Sequence, residues 1–309
     1  MLSSKFNFCK NIKIPLIIYS AILVLAIVFA FIHKGVNLDI NFKGGSRFTY
    51  TYTGEIATDD AEKAIETALK KDVTVTQSQS IAGDSTKLVV TLVADESLST
   101  EAQKTVTDSL AKAFPENKVQ LGDSTTVSPT VASGFFVKSI VAVVIAAILV
   151  IIYVGIRFRK IGGVSAAITA LFALVLDVIS AFAVCIIFKL QIDTNFMAVI
   201  LTILGYSLND TIVTYDRIRE NRRFYPSEEL SLVVDTSLSQ TMRRNIVTTT
   251  TTFLAIVTMI VVAEIFGLST LRTFTIPMAV GVVSGCYSSM CVSGPIWVLW
   301  INKQAAKRK

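Results

Sequence analysis

One histidine, His33, and four cysteines are all that 309 residues offer toward thiol and imidazole chemistry. That scarcity removes whole classes of function. No Cys/His spacing suits a zinc site. Cys9, Cys185, Cys286 and Cys291 lie near or inside apolar runs, and none falls in the one long hydrophilic stretch, so no disulfide framework is expected. A phosphate-binding glycine loop, a nucleophile elbow and a metal motif are also missing, so neither enzyme activity nor a cofactor is expected. Low-complexity tracts and long linkers are absent as well.

What the chain has in excess is apolar residues. They make up 52% of it, and the mean hydropathy is +0.61. Crossing a hydrocarbon core takes about 20 helical residues. Six runs are long enough: Ile14–Ile32, Phe135–Ile156, Val164–Phe188, Phe196–Tyr215, Ile246–Phe266 and Phe274–Ile301. The first follows Lys5, Lys10 and Lys13 but is too long for a secretory signal and offers no small-residue cleavage site, so a retained anchor is expected. His33, at its end, reads as an interfacial residue, the alternative being a proton relay.

Basic residues in short loops set orientation. The N-terminus, Arg157–Lys160, Arg217–Arg244 and the tail KQAAKRK together carry sixteen of them, whereas the two opposite short loops hold only Lys189 and Arg272. Both termini are therefore expected in the cytoplasm. Residues 34–134 contain 10 basic and 14 acidic residues, so the net charge of +6 conceals an acidic external segment and a basic remainder. The basic excess faces the membrane surface and calls for no nucleic-acid partner.

That external segment has soluble-domain patterning. Arg47–Thr53 alternates like a strand, and Thr58–Lys71 has the capping threonine, early acids and late lysines of a helix. VTVTQSQSI and TKLVVTLV flank the turn AGDS. Ser99–Phe114 puts Ala102, Val106, Leu110 and Ala113 or Phe114 on one helical face, and Asn117–Val127 supplies a last strand. The order β-α-β-β-α-β predicts a ferredoxin-like α+β domain. The fold class expected is a polytopic α-helical membrane protein of six transmembrane helices, with that domain between helices 1 and 2. Its divisions are 1–33 (basic N-terminus and first helix), 34–134 (external domain), 135–302 (helices 2–6) and 303–309 (basic tail).

Ionisable residues inside apolar spans are functional candidates by default. Asp177 lies midway along the third run and is either a helix-packing group bonded to a neighbouring hydroxyl or the lining of an ion path. Asp210 falls on a stripe with Tyr206, Ser207, Thr211 and Thr214. It is either a switchable proton carrier or a static acid with a permanent partner. Arg243 and Arg244 open the fifth run. Arg243 reads as a topology anchor, whereas Arg244 heads a Thr-rich stripe through Thr248 and is placed to reach toward Asp210. Asp216 and Glu220 suggest spacing-four helix contacts, and a surface helix is expected from Pro226-Ser227 within the loop Arg222–Gln240. Gly281, Gly285, Ser289 and Ser293 recur every four residues, a close-packing face.

Three blocks, GYSLNDTIVTYDRIREN, TMRRNIVTTTTTFLAIVTMIV and GVVSGCYSSMCVSGPIW, occur in this order, and with the layout of one span, an external domain and five spans they resemble the SecF family. SecF is the membrane subunit of the bacterial protein-export complex SecDF, within the resistance-nodulation-division superfamily. One departure is LDINFKGG, with Asn41 where the family commonly has Asp. The resemblance implies a cytoplasmic-membrane subunit that pairs with SecD and assists preproteins emerging from SecYEG, driven by transported H+ or Na+. It also implies that Asp210 and Arg244 occupy ion-path positions and cooperate with an acidic residue supplied by SecD; Asp177, Thr248 and Ser207 join them as ion-path candidates on the reading of the residues alone. A small-molecule or lipid exporter and a passive scaffold are the rival readings.

Overall fold

Lipid offers the backbone no hydrogen-bond partners, so a long apolar stretch satisfies its own amides as a helix, and Lys13–Ile32 does so as α1. The computed structural model describes residues 6–33, 35–69, 73–79, 86–93, 100–266 and 268–307. Among these, six helices are long and apolar enough to cross a membrane. They are α1, α5 (Pro129–Arg157), α6 (Gly163–Ile187), α7 (Thr194–Phe224), α8 (Leu230–Ile265), and a composite of α9 (Ser269–Ser288), a π-turn (Ser289–Ser293) and α10 (Gly294–Lys307).

Four of these helices outrun the apolar stretches that announce them, the composite reaching from Ser269 to Lys307 rather than from Phe274 to Ile301. α5 begins at Pro129 rather than Phe135, because Ser128 caps it by accepting from the Val131 amide (3.4 Å) and proline suits the first helical position. α7 continues past Tyr215 to Phe224. The surface helix expected from Pro226-Ser227 is not separate: α8 runs unbroken from Leu230 through the fifth span. Its first turns bury Val233, Val234 and Leu238, and Val234 and Leu238 share a core with Ile218 of α7 and Trp297 of α10. That apolar face keeps the helix continuous where the hydrophilic residues around it suggested a loop.

Between α1 and α5 come a one-turn helix α2 (Ile40–Lys43), then β1 (Gly45–Tyr52), α3 (Thr58–Leu69), β2 (Val73–Gln79), β3 (Thr86–Val93), α4 (Thr100–Ala113) and β4 (Gln120–Val127). The element order from β1 onward is the expected β-α-β-β-α-β. All strand pairs are antiparallel, in the order β2-β3-β1-β4. Period-two alternation puts Phe48, Tyr50 and Tyr52 on one face of β1, and the register sets Phe48 opposite Val90 and Tyr50 opposite Leu88. Ile65 of α3 and Val106 and Leu110 of α4 close over that face. β4 starts later than Asn117 because Pro115–Asn117 winds into a 3-10 turn and Lys118 takes a left-handed conformation (φ 45°). The AGDS turn, the ends of the first helix and first hairpin strand at 70–71 and 80–81, and Ser99 lie outside the described residues.

A buried junction ties the start of the sheet to the helices. Asp39 is buried, accepts from Asn41 Nδ2 (2.6 Å) and Gln191 Nε2 (3.3 Å), and pairs with Arg47 at the start of β1. Its amide bonds to Ile192 O (3.0 Å), in the link between α6 and α7. Gly44 follows at φ 91°, where a Cβ would stand 2.9 Å from Pro129 Cα, so only glycine lets the chain pass the start of α5. Phe42 stacks beside Phe135 and Phe136. His33 hydrogen-bonds Ile186 O through Nδ1 (3.0 Å), which fastens the end of α1 to the end of α6.

Candidate functional site

The site is built on the close packing of α7 against the last span. Gly281 faces Ile203, where a Cβ would come within 2.1 Å of Cδ1, and Gly285 faces Ser207, at 2.8 Å from Cβ. One turn on, Ser289 Oγ donates to Ser207 O (3.2 Å) and bonds Thr211 Oγ1 (2.8 Å). A turn further, Tyr215 OH donates to Ser293 O (3.3 Å). Each step is four residues on both helices, so α7 and the last span run parallel and in register. The small residues let the backbones approach, and their hydroxyls are used across the seam.

Residues 284 and 288 sit about 100° around the helix from that stripe and point to α6 instead. There they meet Asp177, which is 0% exposed. Ser284 Oγ donates to its Oδ1 (2.7 Å), and Ser207 Oγ (2.6 Å) and Ser288 Oγ (2.9 Å) donate to Oδ2. Tyr19 of α1 bonds Ser284 Oγ in turn (3.0 Å). Asp177 therefore ties α6, α7 and α9 directly and α1 indirectly, with both carboxylate oxygens served.

Asp210 is placed differently. It is 2% exposed, yet its Oδ2 has no hydrogen-bond partner. Thr214 Oγ1, one turn along α7, is unpartnered as well, and so are both polar side-chain atoms of Asn245 and the hydroxyl of Thr249, one turn apart on α8. Cys286 of α9 neighbours Thr249 and lies in the fields of Asp210 and Asp177. The result is a buried polar seam between α7, α8 and α9 whose side chains are left unsatisfied, where most buried polar groups find partners.

The stripe read from sequence thus divides. Ser207 serves Asp177, Thr211 serves Ser289, Asp210 Oδ2 and Thr214 Oγ1 have no hydrogen-bond partner, and Tyr206 donates to Thr252 of α8 (3.2 Å). Arg244 is exposed; its charge acts on Asp210, but the two form none of the described ion pairs. Thr248 does not join the seam. It is exposed, and its hydroxyl returns to the carbonyls of Arg244 and Asn245 (3.0 Å each). The buried face of α8 passes through Asn245 and Thr249, one residue on from Arg244 and Thr248. Neither of those two, nor Ser284, Ser288 or Tyr19, stood out from sequence. Their four-residue spacings are legible, but the run of five threonines hides which one turns inward.

At the end of α7, Asp216 pairs with Arg219 (2.9 Å) and with Arg157 of α5 (2.9 Å), and Glu220 pairs with Arg217 (2.6 Å). The helix contacts are therefore at spacing three, not the four expected for Asp216 and Glu220. Asn221 donates to Ser237 and Gln240 (2.8 Å each), joining α7 to the early turns of α8. Among the described residues no three His, Cys, Asp or Glu side chains gather as a metal site would require.

Known proteins resemble this chain over most of its length. A family model described as protein export membrane protein SecD/SecF, C-terminal, matches residues 105–303. Protein translocase subunit SecF of Sebaldella termitidis is 34% identical over 281 residues, covering 90% of this chain and 87% of that one. Protein translocase subunit SecDF of Bacillus subtilis is 33% identical over 312 residues, covering 98% of this chain and 39% of its own. The crystal structure of SecDF, a translocon-associated membrane protein from Thermus thermophilus, superposes with a TM-score of 0.78 at 27% identity, over 98% of this chain and 39% of that one. The chain thus spans about two-fifths of these SecDF chains and most of the SecF one.

Proposed function

The chain belongs to the SecD/SecF family of protein-export membrane proteins, and from that premise we propose that it is the SecF-type half of an ion-driven accessory to preprotein translocation, with Asp210 as its switch. The contrast between the two buried acids carries this reading. Asp177 has hydroxyl donors on both oxygens and acts as a fixed tie, whereas Asp210 is buried with an oxygen unserved, among unpartnered Thr214, Asn245 and Thr249. A buried carboxylate without donors is costly in its ionised form. It gains most from a mobile partner: a proton, a sodium ion or the guanidinium of Arg244.

In the proposed cycle a proton or sodium ion reaches Asp210 and cancels its attraction for Arg244. α7 and α8 then shift along the stretch beside Asp210, where Thr214, Asn245 and Thr249 are unpartnered. A gradient drives work only if the two conformations bind the ion differently, and the unsatisfied seam offers such a difference. Motion passes to the sheet domain through the Asp39 junction, which links β1 to the connection between α6 and α7. No covalent step is involved, so the chain is not an enzyme in this reading.

The remaining parts follow from the family and the charge pattern. The β-α-β-β-α-β unit is a ferredoxin-like domain on the outer face of the bacterial cytoplasmic membrane, and both termini are cytoplasmic, as the asymmetry of basic loops favours. SecD is the partner, supported by relatives in which one SecDF chain is more than twice as long as this one. The SecYEG channel and the emerging preprotein complete the assembly. The decisive experiment is preprotein export in membrane vesicles carrying Asp210→Asn, with proton and sodium gradients collapsed separately. Gradient-driven export should vanish while the complex still assembles, and whichever collapse mimics the variant names the ion. Export equally helped with both gradients gone would favour a passive scaffold, for which the Asp177 ties and the small-residue seam would suffice.

A further inference from the structure

A cleft of about 590 Å³ opens where α5 ends and α7 leaves the apolar core. One wall is the short turn after α5, with Lys160 and Ile161; the other is the last turns of α7, with Arg219, Glu220, Arg222, Arg223 and Phe224. We propose that this cleft binds the headgroup of a dianionic phospholipid, one carrying two phosphodiesters.

Charge is the first argument. The lining holds four cations and one carboxylate, a net charge of +3. Glu220 is already engaged by Arg217, which lies outside the lining, and Arg219 by Asp216. Arg222 donates to Glu228 O (2.9 Å), which holds its guanidinium in place without neutralising it. Lys160 and Arg223 are exposed and have no described ion pair or hydrogen bond. Three positive charges thus converge with no protein carboxylate left to balance them. Arginines in the last turn of α7 would complement the helix dipole, but that explains neither Lys160 nor its approach from a different connection. Two phosphates, each an acceptor for charge-assisted hydrogen bonds, suit such an arrangement.

Depth is the second argument, and it selects a lipid over a soluble phosphate. Phe158, two residues before Lys160, is buried against Tyr215 (ring centroids 5.5 Å apart), so apolar packing ends immediately inside the cleft. Phe224 is 67% exposed beside it, and Tyr225 is exposed too. Exposed aromatic rings at this level are what an interface with headgroups and upper acyl chains favours, and basic pockets between spans recognise anionic headgroups.

The test uses the full chain purified in a neutral detergent. Native mass spectrometry would read retention of tetraoleoyl cardiolipin against dioleoyl phosphatidylcholine, with inorganic pyrophosphate as the soluble competitor. One cardiolipin should be retained in preference to phosphatidylcholine and resist millimolar pyrophosphate. Lys160→Gln/Arg223→Gln should weaken its binding about thirty-fold, since each basic group near a phosphate surface contributes on the order of a few-fold to tenfold. Lys303→Gln/Lys307→Gln, in exposed α10, should change it less than twofold. Equal retention of the two lipids by the unaltered chain would overturn the proposal, as would equal loss in the two double variants. Displacement by pyrophosphate would assign the cleft to soluble phosphates and overturn the lipid reading. The lipid preference and the competition need no variant, so they decide even if a substitution impairs folding.

Discussion

Asp177 and Asp210 should respond oppositely to the same substitution. Asp177→Asn replaces one carboxylate oxygen by an amide that donates. If the amide occupies the Oδ2 position, Ser207 and Ser288 both lose their acceptor; if it occupies Oδ1, Ser284 does. Hydrogen bonds between membrane helices are worth about 0.6 kcal/mol on average and up to about 1.7, and bonds to charged acceptors sit at the upper end. Losing one or two, with partial rescue by nearby carbonyls such as Gly285 O for Ser288 (3.2 Å), gives a cost of roughly 1–3 kcal/mol. Asp210→Asn removes no protein hydrogen bond to Oδ2 and deletes a buried charge, so its effect should lie within about 0.5 kcal/mol of zero or be stabilising. Equilibrium unfolding of the purified chain in mixed micelles, followed by circular dichroism as the SDS fraction rises, reads both. A larger loss for Asp210→Asn than for Asp177→Asn would refute the division into a fixed tie and a free acid.

Gly285→Val should separate α7 from the last span, since even its Cβ would stand 2.8 Å from Ser207 Cβ; a loss of about 2 kcal/mol or more in the same unfolding assay is expected, overpacking costing typically 1–3. Gly44→Ala faces both a left-handed backbone and the Pro129 backbone, so it should cost about 2–3 kcal/mol, one unit for the conformation and the rest for the clash; a neutral result would show that the junction yields. Asn41→Asp removes the donor to Asp39 and sets a like charge beside it, so it should destabilise the chain at neutral pH by about 1 kcal/mol or more; limited proteolysis of the sheet domain would detect it. Burial pushes the Cys9 thiol well above its ordinary 9.0, and the Asp235 carboxylate beside it pushes the same way. A raised value leaves less thiolate at any given pH. Maleimide labelling of Cys9 at pH 8 should thus be slow and should quicken in Asp235→Asn. The neutral thiol's contribution to stability is complete below pH 9 and falls as pH rises above it. Labelling as fast as that of an unstructured thiol would contradict the packing of this segment on α8.

The fold was legible where one pattern dominated. Phe48, Tyr50 and Tyr52 alternate because one face of β1 is buried, and a one-residue slip in register would turn all three outward. The early part of α8 was not legible, since Val233, Val234 and Leu238 are scattered among hydroxyls and charges and only the packing of Val234 and Leu238 on α7 and α10 reveals one face. Near Asp210, sequence found the acid and its stripe but could not tell which stripe members are satisfied. Satisfaction depends on neighbours far along the chain: Ser207 differs from Thr214 only in what stands opposite. It also misassigned the contribution of α8, because five consecutive threonines carry no periodicity of their own, and helical rotation, not composition, chooses Thr249 over Thr248.

The parallel register of α7 and the last span explains why both acids can be buried at all. Advancing four residues together sets a glycine or serine of the last span against α7 at every turn from Gly281–Ile203 to Ser293–Tyr215. A seam that tight fixes Ser207, Ser284 and Ser288 around Asp177, and that acid is then held by geometry alone. α8 has no such stripe facing Asp210, where Asn245 and Thr249 leave their polar atoms unpaired. Bonds from Arg217 and Asn221 to Ser237 and Gln240 hold the far ends of α7 and α8 together, whereas around Asp210 the unpaired Asn245 and Thr249 leave the boundary loose. Movement concentrates where satisfied contacts are fewest, so this stretch of α8, not the last span, is expected to shift when the charge on Asp210 changes. Cross-linking should discriminate the two: a cysteine pair across α7 and α9 should form irrespective of an imposed ion gradient, whereas one across α7 and α8 near Asp210 should respond to it. Equal response at both seams would place the moving boundary elsewhere and separate the tight register from any role in coupling.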